Sequence, residues 1–246
     1  MLPPGIRSRA EPKRAGPDGG AFEVNPLEQL MNPNRLAITS VLLFGSLWGL
    51  SELGIDRIHM ADGVPRAPLL TAAAIIFLVT ARRVWDAPGS SFSLAILASA
   101  FKFVQSPFFG CKIAAVLILG GVFDIALSLA RGRKPSAWSS AGSAAPYART
   151  AVAALASFVA FGFFARYVLA NPFWVAGGAP KLLEYQLVHG AIGAGLAIPA
   201  TYVGLRAGAW ITEAAESWSG AGALGYRLLA LASGAAGVAV ALVTRG

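Results

Sequence analysis

Apolar residues fall along the chain in long runs, each broken by a short polar, usually basic, turn. A crossing of the hydrocarbon layer takes about 20 such residues. Seven candidate spans emerge, near Leu36–Ile58, Ala67–Ala81, Phe92–Gln105, Lys112–Ala130, Ala148–Leu169, Leu182–Leu205 and Ala223–Val243. The second and third are short, so the pattern predicts an all-α integral membrane bundle of six to seven transmembrane helices. Backbone groups in lipid must be satisfied within the segment, which favours helices over open strands.

Residues 1–35 read differently. MLPPGIRSRAEPKRAGPDGG is rich in proline, glycine and charge, with too little apolar area to offset the entropy of ordering. It is expected to be a disordered basic cytoplasmic tail ahead of one transmembrane domain over 36–246. The Pro/Ser/Gly/Ala-rich linker 131–147 separates the fourth and fifth spans. No signal-peptide core precedes the first span. Basic residues concentrate in the tail and at Arg82, Arg83, Arg131, Arg133, Lys134 and Arg206; by the positive-inside rule these belong in the cytoplasm. The expected location is the inner (plasma) membrane, with membrane lipid as the surrounding partner.

Composition agrees with that solvent. Hydrophobic residues make up 56%, charged residues 13%, and the mean hydropathy is +0.62. The formal charge of +8 sits at the ends of apolar runs, where it orients helices and meets lipid headgroups, so no nucleic-acid partner is expected. A single cysteine, Cys111, excludes an internal disulfide framework and a four-cysteine metal site.

Three charges interrupt the apolar runs: Glu52, Lys102 and Asp124. A charge at membrane depth costs at least about 3 kcal/mol unless paired, hydrated or used by a ligand. Trp48 lies one turn from Glu52 on the same helix face, and Gln105 follows Lys102. Counted from the helix ends, Glu52, Lys102, Arg166, Glu184, Gln186 and His189 share the outer half of the bundle, while Asp124 is nearer the cytoplasm and pairs with Lys102 only if their helices are adjacent or tilted. Trp48, Glu52, Lys102, Gln105, Glu184 and His189 are therefore the candidate ligand-binding residues, with Phe103, Phe173 and Trp174 as an aromatic frame. A Glu52–Lys102 ion pair that merely locks helices together is the competing reading. Arg166, near a helix end, can extend its side chain to the interface.

Other chemistries are poorly supported. His59 and His189 lie toward the same face, but His59 falls in the polar run DRIHMADGVPR, which disfavours a shared haem. No third ligand completes a catalytic zinc site, and no H-E-x-x-H sequence or Gly-rich phosphate loop occurs. Ser46, Ser51 and Ser99 are expected to bond their own helices rather than act as nucleophiles. The expectation is a non-enzymatic protein without cofactor or metal. Gly45 and Gly49, Gly190 and Ala194, and Ser233, Gly237 and Ala241 are small-residue stripes suited to close helix packing; Gly45 and Gly49 in particular are a candidate docking face for a partner membrane subunit. Pro199 is expected to kink the sixth span.

The run LWGLSELGIDRIHMADGVPRAPLLTAAAIIFLVTARR, followed by ASAFKFVQSPFFGCKIAAVLILGGVFDIALSL, resembles the substrate-binding S components of energy-coupling factor transporters and uncharacterised membrane proteins similar to them. The likeness lies in the WGxSE start, a second helix opening after a proline-bearing loop, a lysine in the third helix and an acidic residue in a glycine-containing fourth. It covers the first half of the membrane region. It implies a compact bundle of about six spans that captures a vitamin or metal-related compound near its outer face, for uptake with a separate coupling subunit and ATPases. The long basic tail and an extra C-terminal helix depart from that pattern. A structural or assembly subunit of a larger membrane complex is the alternative, and a haem-bearing electron-transfer subunit a weaker one.

Overall fold

The computed structural model describes residues 32–57, 65–104, 110–131, 143–217 and 221–243. All regular structure among them is helical. The helices are α1 (Pro33–Arg57), α2 (Arg66–Val84), α3 (Ser90–Ala100), α4 (Gly110–Arg131), α5 (Ala145–Phe163), the short α6 (Pro172–Ala176) and α7 (Gly178–Glu184), α8 (Gly190–Ser217) and α9 (Ala221–Val243). A 3₁₀ turn, Phe101–Val104, continues α3; wide π turns at Phe164–Val168 and Tyr185–His189 extend α5 and join α7 to α8.

Among the described residues, five segments are long and apolar enough to cross a membrane: Asn34–Ile55, Arg66–Val84, Gly110–Leu129, Ala145–Val168 and Gly178–Ala214. The second span, expected to stop at Ala81, continues through Arg82 and Arg83 to Val84 because Arg82 is buried among partners rather than solvated. The sixth, expected to end at Leu205, passes Arg206 and reaches Ser217. Its apolar stretch of 37 residues measures about 55 Å at 1.5 Å per residue, against a hydrocarbon layer of about 30 Å. The third remains short. Its 11 residues and the four of the 3₁₀ turn reach only about 24 Å.

Of the basic tail expected over 1–35, residues 1–31 lie outside the described residues, as does 132–142 of the linker. Pro33–Arg35 already belong to α1, whose start is fixed locally. Asn32 accepts from the Asn34 amide through its side chain at 3.0 Å, and Pro33 takes the first helical position, where a missing N–H costs nothing.

Six helices close into a ring in the order α1, α3, α4, α5, α8, α2, with α9 packed outside on α1. Small residues set the approaches. A side chain at Gly45 would meet Leu97 and the Leu94 carbonyl; one at Gly49 would strike Phe101. The pair expected as a docking face is thus occupied by α3 of the same chain. Gly120 of α4 faces Ala95 on the other flank of α3, and Gly204 and Gly208 of α8 face Val79 and Arg83 of α2. Gly190 packs on Leu155 and Phe158 of α5. Ser233 is buried on the α1-facing side of α9, where Tyr226 and Ser40 share a 3.0 Å hydroxyl bond.

Large apolar side chains point outward as well as inward. Phe92, Ile96 and Phe103 form one exposed stripe on α3, and Ile125 and Leu129 another on α4, a distribution suited to lipid rather than water.

The α2–α3 turn carries a buried charge knot. Arg82, 1% exposed, donates to Ser91 Oγ at 3.0 Å, to Asp86 at 2.9 Å and to Asp124 of α4 at 2.6 Å. Asp124 also accepts from the backbone amides of Gly89 and Ser91, at 2.7 and 3.1 Å. It therefore does not pair with Lys102, which sits at the other end of α3. Gly89, at φ 84°, takes the left-handed conformation that this tight turn requires.

Removing Arg82 strands Asp124 in the bundle, so Arg82→Met is expected to lower unfolding free energy in detergent by about 3 kcal/mol or more. Asp86→Asn, at the wetter rim of the knot, should cost under about 1 kcal/mol. Denaturant titration of both variants measures the difference; equal small effects would show that the knot does not hold the turn.

Candidate functional site

At the end of the ring opposite the Arg82 knot, the helices part around a cavity of about 340 Å³. This lies at the lower end of small-molecule sites, about 300–1,000 Å³. All six ring segments contribute. Glu52 comes from α1; Arg66, Ala67, Leu70 and Thr71 from α2; Lys102 from the turn after α3; Cys111, Lys112, Ala115, Val116 and Leu119 from α4; Ser157, Phe158 and Phe161 from α5; and Tyr185 from the π turn before α8. The α4 contribution follows helical spacing, since residues three and four apart share a face.

One wall is an ion pair. Lys102 Nζ lies 2.8 Å from Glu52 Oε2, with both side chains buried. The other carboxylate oxygen, Oε1, accepts from the Trp48 indole N–H at 3.2 Å. Trp48 is fully buried and does not line the cavity; it holds Glu52 from behind. The parallel run of α1 beside α3, made possible by Gly45 and Gly49, brings the two charges level.

The remaining expected residues separate. Glu184 is exposed on α7, outside the cavity lining. His189 also lies outside it, its ring stacked on Tyr185 at 5.1 Å. Gln105 and His59 fall outside the described residues. Gln186 is buried but bonds the Val159 carbonyl at 3.1 Å. Arg166 reaches the Trp174 carbonyl at 3.4 Å and lies over Tyr167, at the bundle end as expected. Ser51 and Ser99 bond the Trp48 and Ile96 carbonyls of their own helices.

Of the expected aromatic frame, Phe103 faces outward and Phe173 lies under Lys181 Nζ at 3.2 Å. Trp174 alone turns in. It meets the Tyr185 ring edge-on at 4.7 Å and Phe161 at 6.1 Å, both cavity residues. A strap over 169–178 carries it there. Ala170 takes φ 46°, unusual for a residue with a side chain, and Asn171 caps α6 by accepting from the Phe173 amide at 3.0 Å.

Arg66, Lys112, Cys111 and Tyr185 were not expected at a site. The first two each open a helix, and both sit at the level of Glu52, which was the available signal. Among the described residues no group of three His, Cys, Asp or Glu could hold a metal ion.

No protein-family model, curated protein or solved structure matches this chain.

Glu52 and Lys102 should be energetically coupled. Glu52→Gln or Lys102→Met alone leaves one buried charge unpaired, a loss of about 3–5 kcal/mol, whereas the double variant should be milder than the sum. Unfolding free energies of the four proteins close the cycle; additive losses would mean that the two side chains do not interact.

Proposed function

We propose that this protein is a non-enzymatic membrane subunit that captures a small ligand in the cavity at the Glu52 end for uptake with a separate ATP-driven module. The observation that carries the reading is the cavity itself, a space of about 340 Å³ bounded by six helices and shut on one side by a buried ion pair. Close-packed interiors rarely leave such a volume without use. The resemblance of WGLSE and the following helices to S components of energy-coupling factor transporters supports the same reading.

Orientation follows from charge. Residues 131–149 and the tail are strongly basic, which favours the Arg82 end in the cytoplasm and the cavity at the outer face of a plasma membrane. In a Cys111→Ser background, a cysteine at Ala179 should react with impermeant maleimide on whole cells, and one at Ala144 only after the membrane is broken. The reverse pattern inverts the topology.

A structural or assembly role is favoured by one specific fact: both Glu52 oxygens already have partners, so the pair needs no ligand. Ala115→Trp, which fills the cavity, separates the readings. If the protein captures a ligand, mass spectrometry of solvent extracts should find a small molecule with the purified wild type and not with the filled variant. Identical extracts, together with raised thermal stability of the variant, would favour the structural role.

A further inference from the structure

We propose that the cavity takes an uncharged aromatic compound, its ring lying against Phe158, Phe161 and Tyr185. This rests on the capture reading and names the ligand class.

The charges of the lining are already answered. Glu52 and Lys102 hold each other at 2.8 Å, the second Glu52 oxygen accepts from Trp48, and Lys112 also has a partner within the chain. Arg66 is exposed at the start of α2, where solvent can hydrate it. A charged ligand would enter the deeper space without a counter-charge of its own, and burying it so is expensive. The site favours a neutral body.

The uncharged walls differ from side to side. In the ring of helices, α5 and α8 stand across from α1 and α3, so the ion pair faces the aromatic wall. Phe158 and Phe161, three apart on α5, share one helix face, and Tyr185 from the π turn before α8 meets them at 5.5 and 6.0 Å. The flanking helices α2 and α4 add Leu70, Val116 and Leu119, with the small Ala67, Thr71 and Ala115 leaving room beside the rings. A flat body fits there.

The aromatic wall is set before a ligand arrives. His189 stacks on Tyr185 at 5.1 Å, and Trp174 meets Tyr185 edge-on at 4.7 Å and Phe161 at 6.1 Å. Rings already fixed by other rings lose little freedom on binding, so their contact with an aromatic ligand is kept as affinity. A saturated ligand of equal volume fills the same space without the offset or edge-on ring contacts.

Cys111 reports occupancy, because it lines the cavity and is the only cysteine in the chain. The full-length protein in detergent is treated with methyl methanethiosulfonate near neutral pH, and the free concentration of each probe that halves the rate is measured. 2-Naphthol is expected to act at about fivefold lower concentration than decahydro-2-naphthol, as one good ring–ring contact produces. That preference should fall toward unity in Phe161→Leu and in Tyr185→Leu, either of which serves should the other fail to fold. 1-Naphthoate and 1-naphthylmethylammonium should protect less well than 2-naphthol.

Equal protection by 2-naphthol and its saturated analogue overturns the aromatic assignment and leaves a ligand cavity in place, as does stronger protection by the acid or the amine for the neutral one. A preference that survives both ring variants overturns the role of the rings. If no probe protects Cys111, or no reagent reaches it until the protein is unfolded, the capture reading fails with the proposal.

Discussion

A charge that cannot reach water must find its opposite, and in this bundle that requirement falls on α3. Its 15 residues with the following turn are too short to cross the hydrocarbon layer alone. It is fixed instead at both ends by buried charge. The turn before it is tied to α4 through Arg82, Asp124 and the Gly89 and Ser91 amides. Its far end is tied to α1 through Lys102 and Glu52. Between these anchors α3 lies against glycines of both neighbours, Gly45 and Gly49 on one side and Gly120 on the other. Close backbone approach brings the charges within bonding distance, and the charges in turn hold the approach. Either device alone would leave polar groups or voids in a medium that tolerates neither.

The two networks have different consequences because their surroundings differ. At the Arg82 end the guanidinium meets a serine hydroxyl and two carboxylates, and the helices close over it. At the Glu52 end two π turns widen α5 and the α7–α8 junction, and the ring opens. A π turn adds a residue to a helical turn and shifts the side-chain register. That shift carries Tyr185 onto the cavity wall, with Trp174 packed edge-on behind it.

Depth was legible in the sequence and azimuth was not. The positions of Glu52 and Lys102 within their apolar runs gave their common level, and the spacing of Trp48 put it on the face of Glu52, where the structure adds the bond between them. Distance from a helix end follows directly from residue number. Which way a side chain points around the axis depends on which helix is next door. Hence Glu184 and His189 share the level of the site without lining it, and Asp124 answers Arg82 rather than Lys102. Arg82 itself was hidden by its neighbour Arg83. A pair of arginines at the end of an apolar run reads as a cytoplasmic boundary, yet one belongs to the interior and lengthens its helix past the expected stop. Arg66 and Lys112 were hidden because each stands at the start of a helix, where a basic residue reads as a turn charge.

The internal completeness of the Glu52–Lys102 pair bears on how such a cavity can work. If a ligand had to displace Lys102 from Glu52, every binding and release would pass through an unpaired carboxylate in a low-dielectric interior, an expensive intermediate. With Trp48 and Lys102 occupying both oxygens, the wall remains neutral whether the cavity is full or empty. The buried charge of this wall therefore serves to hold α1 against α3.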